Sequence, residues 1–232
     1  MGEKKIALVT GGNKGIGLEI CRQLARKGIE VILTSRDGNR GEKAAQTLQR
    51  EGLETAFLQL DVTDPESVGR CAADAEKKFG RLDILINNAG VRFDRDLAIM
   101  DLKLDVLRKT VETNIYGPFL VCQAFLPLMK KSGGGRIVNV SSGMGALAKM
   151  KNDSPSYRIS KAGLNALTRI FADELKDAGI LVNTVHPGWV KTEMGTQAAA
   201  KTVEEGADTP VWAALLPDGG PSGEFFFERK TH

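Results

Sequence analysis

With 232 residues, 42% of them apolar, the chain is long enough to bury one large core, and no composition shift marks a second domain. Its 32 Lys and Arg against 29 Asp and Glu leave a net charge of +3, with no basic run much beyond Lys4-Lys5 or Lys130-Lys131, which excludes nucleic acid as an expected partner. The three cysteines, Cys21, Cys71 and Cys122, are odd in number and far apart, and only two histidines are present, so neither a disulfide framework nor a metal site is expected.

In chain order, Met1-Gly2-Glu3 runs straight into the strand-like Ile6-Ala7-Leu8-Val9 without a signal-peptide pattern, so a cytoplasmic protein with no membrane association is expected. Short apolar runs then alternate with helical patterns. Strands are expected over 5–10, 30–34, 55–60, 82–87, 136–141, 180–185 and 223–227. Gly15 to Lys27 reads as a helix with Ile16, Ile20 and Leu24 on one face and Gly28 as its stop. Another helix starts at Asp64-Pro65, an N-cap followed by proline at the first helical position. Further helices are expected over 115–130, 157–176 and from Thr202. Strand-helix alternation at this spacing implies right-handed crossovers: an α/β, doubly wound, seven-stranded and mostly parallel sheet of Rossmann type, forming a single domain over 1–232.

The turn after the first strand reads Thr10-Gly11-Gly12-Asn13-Lys14-Gly15-Ile16-Gly17. Glycines at 11, 15 and 17 allow a tight turn, a close approach to a pyrophosphate and close helix packing, with the helix N-terminus aimed at the phosphates. At the end of the second strand an NAD site would place an acidic residue. Ser35-Arg36 stands there instead. A guanidinium, helped by Lys14, suits a 2′-phosphate, so NADP is expected over NAD. Further on, Tyr157 and Lys161 lie four residues apart. On a helix they share a face, and an ammonium beside a phenol favours its ionised form, bringing it within range of proton transfer nearer neutrality.

The segments TGGNKGIG, LDV (60–62), NNAG (87–90), Asn114, VNVSS (138–142), YRISK (157–161) and HPGWVKT (186–192) together resemble the short-chain dehydrogenase/reductases over nearly the whole chain. GGNKGIG, TSRD, PGWVKTEM and EEGADTPVWAALLP look most like the NADPH-dependent carbonyl reductases of that family. The resemblance implies Asp61 and Val62 beside the adenine, and Asn87, Ala89 and Gly90 along the cofactor. It implies that Pro187, Gly188, Trp189, Val190 and Thr192 hold the nicotinamide end, with Asn13 and Ile16 in the phosphate loop. It assigns Ser142 to the substrate carbonyl and Tyr157 to protonation of it. Lys161 would act on the tyrosine and the nicotinamide ribose, and Asn114 on a water relaying protons to the lysine. Strand alternation puts Ser141 and Ser142 on opposite sides.

In one respect the chain departs from this pattern. Carbonyl reductases of this kind carry a long helical insertion between the serine and the tyrosine, and Ser142 and Tyr157 are too close in sequence for it. In the family the insertion covers a dimerisation surface, so a homodimer or homotetramer is expected. The short stretch after Thr192 suggests an open cleft. Met144, Met150, Trp189 and Met194 suit a permissive apolar pocket, and Lys149 and Lys151 could attract anionic substrates. The expected activity is reduction of a small carbonyl compound with NADPH. A narrow-substrate enzyme, such as a 3-oxoacyl-thioester reductase or an alcohol dehydrogenase, and a non-catalytic NADP(H) sensor stay open.

Overall fold

A computed structural model describes residues 4–232. The elements run β1 (Ile6–Val9), α1 (Gly15–Arg26), β2 (Glu30–Ser35), α2 (Gly38–Arg50), β3 (Thr55–Gln59), α3 (Pro65–Phe79), β4 (Ile84–Asn87), α4 (Leu104–Val111), α5 (Gly117–Lys131), β5 (Gly135–Val140), α6 (Pro155–Glu174), β6 (Ile180–His186), α7 (Val203–Ala213), β7 (Phe225–Phe227) and β8 (Lys230–Thr231). One turn of π-helix, Glu112–Tyr116, joins α4 to α5.

The strands form one sheet in the order β3-β2-β1-β4-β5-β6-β7-β8. Every pairing is parallel except β7 with β8. Alternation along the strands divides the apolar residues between two layers. Ala7, Val9, Val31 and Leu33 join the core under α1, α2 and α7. Ile6, Leu8, Ile32 and Leu85 join the core under α3, α5 and α6. A parallel sheet covered on both faces is the result.

The sequence expectation of seven strands falls short by one. β8 is a two-residue antiparallel strand closed by Glu228 (φ 49°) and Arg229 (φ 62°), with Phe227 opposite Lys230. Two left-handed residues in a row are what a tight hairpin of this twist requires, but Glu-Arg lacks the Asn-Gly chemistry that advertises it. The helix starts behave as read: Asp64 accepts a hydrogen bond from the Glu66 amide with Pro65 following, and Gly80 closes α3 in the left-handed conformation. Thr202 and Glu205 form a reciprocal capping box at the start of α7. Among the described residues no helix is long and apolar enough to cross a membrane.

The chain winds outward in both directions from the neighbours β1 and β4. Their carboxyl ends therefore diverge into two separate loops, and a crevice opens between them.

Candidate active site and cofactor cleft

That crevice has a volume of about 840 Å³. Its floor is made by the loops after β1 and β4, which are bonded to one another. Thr10 Oγ1 accepts from the amides of Asn88 and Ala89, each at 3.0 Å, and Asn88 Nδ2 donates to the carbonyls of Thr10 and Gly11 at 2.9 and 3.2 Å. The packing explains Gly17, since a Cβ there would come within 2.4 Å of Asn88 Nδ2 and of the Gly11 carbonyl. Gly11 and Gly15 take left-handed φ of 63° and 54°.

The start of α1 differs from its neighbours. Asp37, Asp64 and Thr202 cap α2, α3 and α7 with side-chain oxygens, whereas Lys14 at the N-cap of α1 accepts nothing and the first turn carries no acidic residue. Gly15, Ile16 and Gly17 instead open onto the crevice with Gly11, Asn13 and Lys14. Free first-turn amides and the positive end of a helix dipole suit a phosphate group. Ser35, Arg36, Asp61, Val62, Ala89, Gly90 and Thr192 line the same space, as the sequence reading expects. So does Arg40, which that reading missed. It follows Arg36 by four residues in the first turn of α2, so i to i+4 spacing was the available signal.

Among the expected cofactor residues, Asn87, Pro187, Gly188, Trp189 and Val190 do not line the crevice. The Asn87 side chain is buried in the sheet, donating to Asn139 Oδ1 at 2.8 Å, and its neighbour Asn88 faces the crevice. β4 ends there, and alternation sends consecutive side chains to opposite sides. Val190 is buried against Gly206 of α7, away from the crevice. Pro187 and Gly188 lie between β6 and that turn, where the Gly188 amide donates to His186 Nδ1 at 2.9 Å. Trp189 is largely exposed, its indole donating to the Gly195 carbonyl.

The segment after Thr192 is short, as expected, and is tied to both sides of the crevice. Glu193 pairs with Lys14 across the phosphate loop, and Arg95 donates to the Met194 carbonyl from the opposite side. Two consecutive residues thus hold the segment over the crevice from both flanks.

Close to Gly90, which lines the crevice, lie Asn114 and Lys161. α6 carries Tyr157 and Lys161, only 7% and 4% exposed. The Ser142 hydroxyl acts on the Tyr157 phenol, holding its pKa down, and accepts from the Met144 amide at 3.2 Å. Ser141 donates to the Lys161 carbonyl. Asn114, in the π turn, is fully buried. It accepts from the Val91 amide at 2.8 Å and donates to the Val91 carbonyl and to Ser160 Oγ, each at 2.9 Å, tying the loop after β4 to α6. A Cβ on Gly90 would lie 3.3 Å from Asn114 Oδ1 and 3.4 Å from Lys161 Nζ. A side chain at this position would press on both.

Desolvation dominates the electrostatics of the pair. Burial pushes the Tyr157 phenol above its ordinary range, opposed by Ser142 and by the Arg92 guanidinium, whose Cζ lies 5.7 Å from the ring centroid. Lys161 is buried close to the same ring. Its ammonium, 5.6 Å from the ring centroid, donates to the Val140 carbonyl at 2.8 Å, and its own burial lowers its pKa to about 8. Helical spacing placed the pair correctly but says nothing about desolvation, which here dominates both groups.

Asp94, unnoticed in the sequence, caps α6. Fully buried, it accepts from the Ser156 amide at 2.6 Å and the Tyr157 amide at 3.4 Å. Its partners lie about 60 residues away in sequence, so no local pattern reveals it.

Comparison with known proteins agrees with this architecture. The short chain dehydrogenase family model matches residues 5–203. The (+)-neomenthol dehydrogenase of Arabidopsis thaliana is 38% identical over 97% of this chain and 96% of that protein. Human carbonyl reductase [NADPH] 1 is 39% identical over 97% of each; its alignment spans 273 positions against 232 residues here, so that relative carries residues this chain lacks. Among solved structures, NADPH-bound carbonyl reductase from chicken fatty liver superposes with a TM-score of 0.86 at 33% identity, covering 96% of each chain. Salutaridine reductase from Papaver somniferum gives 0.85 at 33% identity, covering 97% of this chain and all of that one. A family match over residues 5–203 and relatives 38–39% identical over nearly the whole chain show that it belongs to the short-chain dehydrogenase family.

Proposed function

We propose that this protein is an NADPH-dependent oxidoreductase that reduces aldehydes, ketones or quinones to alcohols, with Tyr157 as the proton donor. The observation that carries this reading is that Ser142, Tyr157 and Lys161 come together close to Gly90, which lines a crevice that also offers an uncapped helix start and two guanidinium groups. The residues present fit the cofactor: α1 amides for the pyrophosphate, Arg36 and Arg40 for a 2′-phosphate, Asp61 and Val62 for the adenine, and Thr192 toward the nicotinamide. When bound, the cofactor supplies the hydride.

The chain's own groups handle the proton. Ser142 Oγ orients the substrate carbonyl beside the phenol. Tyr157 Oη gives its proton to the carbonyl oxygen as negative charge develops there. A buried phenol with a raised pKa holds that proton at neutral pH, so the acid is present before the substrate arrives. Lys161, lowered to about 8 by burial, can exchange a proton near neutrality and returns one toward Tyr157 after each turnover. Asn114 ties the loop after β4 to α6 beside Gly90 and so holds Lys161 in place.

Following NADPH and NADH oxidation against an isatin, a quinone, an aromatic aldehyde, a keto ester and an acetoacetyl thioester tests the proposal. Turnover of several carbonyls with NADPH, abolished in Tyr157→Phe, is expected. Tight NADPH binding without turnover of any of them would overturn it in favour of a sensor or a narrow-substrate enzyme.

The proposal extends to assembly and setting. Tyr116, Phe119, Ile159 and Ile170 are exposed on the π turn, α5 and α6, an apolar face suited to a second copy. A homodimer or homotetramer is expected by light scattering, and a monomeric mass would exclude both. Three buried free cysteines suit a reduced, cytoplasmic setting for a single-domain enzyme.

A further inference from the structure

The arginines that are not freely exposed are almost all neutralised. Arg22 pairs with Glu19 and Glu51, Arg81 with Asp83, Arg136 with Asp218 and Arg158 with Asp153. Arg92 is the exception: half-buried beside the catalytic phenol, it has no carboxylate within ion-pair distance among the described residues.

Its fork is nonetheless held. Nε and Nη2 both donate to Ser154 Oγ, at 3.0 and 2.6 Å. Ser154 is fully buried and locked in the left-handed conformation at φ 50°, its amide donating to the Leu97 carbonyl at 3.1 Å. A neutral hydroxyl orients a guanidinium without cancelling its charge. Of the two nearby carboxylates, Asp94 gives Oδ2 to the amides of Ser156 and Tyr157 while its buried Oδ1 has no hydrogen-bond partner, and Asp153 is ion-paired to Arg158 and feels the Arg92 charge only beyond ion-pair distance. A cation kept partly out of water and unpaired costs stability, and such groups mark places where a ligand supplies the missing charge.

We infer that Arg92 is a specificity-determining residue that binds a carboxylate on the substrate, so that the preferred substrates are oxo acids with the carboxylate within a few bonds of the reacting carbonyl. The inference rests on the proposed carbonyl reduction and narrows it. The geometry sets the spacing. A guanidinium 5.7 Å from the Tyr157 ring centroid can hold a carboxylate while the adjacent carbonyl oxygen meets the phenol. Exposed Lys149 and Lys151, in the loop leading to α6, add charge of the same sign at the approach.

Matched substrates separate this from general reduction. Benzoylformate and methyl benzoylformate, assayed with NADPH, differ in charge but share the ketone. The wild type should favour the acid, and Arg92→Met should lower the acid-to-ester ratio of kcat/KM by roughly 10- to 100-fold, mainly through the KM of the acid. Taking the ratio cancels any effect of the lost cation on the phenol. Arg92→Lys should keep part of the preference, and it carries the test if circular dichroism shows Arg92→Met to be unfolded. Equal loss of both substrates in Arg92→Met, or a wild type that reduces the ester without favouring the acid, would overturn the inference and leave carbonyl reduction standing. Failure of the wild type on both substrates and on the uncharged carbonyl panel would overturn the two together.

Discussion

The phosphate end of the crevice and the proposed reacting end, the buried cluster close to Gly90, solve opposite problems. At the phosphate end the groups are backbone amides and the exposed side chains of Lys14, Arg36 and Arg40. At the reacting end Asn114 is fully buried and Tyr157 and Lys161 nearly so. Binding groups that stay hydrated until a ligand arrives cost the fold little and bring charge where charge is needed. Reacting groups are desolvated in advance, so their proton affinities are already displaced. Mutations at the reacting end should therefore change rate and pH dependence, and those at the phosphate end should change affinity.

The largest expected effect is at Tyr157. Tyr157→Phe should lower kcat by on the order of 10³-fold or more, with NADPH affinity by fluorescence titration nearly unchanged. A comparable loss of NADPH binding would erase the distinction between the two ends. Next comes the free protein's stability against pH. Lys161 is protonated up to about 8 in the folded chain and up to 10.5 in the unfolded one, so within that window unfolding takes up a proton. Raising the pH from 8 toward 10 should stabilise the fold. Below about 8 both states carry the proton and the cost of burial is fully present. Each pKa unit being ~1.4 kcal/mol, the whole window is worth roughly 3 kcal/mol, and Lys161→Met should flatten the slope in urea unfolding.

At the other end, Arg36→Ala should raise the KM for NADPH by roughly 10- to 100-fold while leaving kcat and the KM for NADH little changed, measured by steady-state kinetics. A fall in kcat instead would mean that the phosphate end also shapes the chemistry. Smallest is Glu193→Gln, which removes an exposed ion pair with Lys14. NADPH affinity should shift by a few-fold at most, and less still at high salt.

Much of this was legible in the sequence. The strand-helix alternation gives the doubly wound sheet, and the glycines at 11, 15 and 17 give the phosphate loop, because both depend on local periodicity and backbone freedom. Alternation at Asn87 and Asn88 sends one side chain into the sheet and leaves the other on the crevice, a distinction the motif alone did not make. The hairpin of β8 was hidden because Glu228 and Arg229 adopt left-handed angles that their chemistry does not announce. Asp94 and Arg92 were invisible for another reason: their meaning comes from α6, which only tertiary packing brings beside them.

The π turn at Glu112–Tyr116 makes the chain's numbering a matter of phase. Ahead of it, Thr110 sits opposite Ser156 at 3.2 Å; behind it, Val121, Phe125 and Met129 seat α5 on the sheet. Each residue of an α-helix advances the face by about 100°, and the wider turn absorbs one residue that a regular helix would have spent rotating. Asn114 points inward because the two helices run out of step by that one position. Deleting Thr113 would leave every other named side chain in the protein and still undo their timing, since either the amide or the α5 seam would have to turn away.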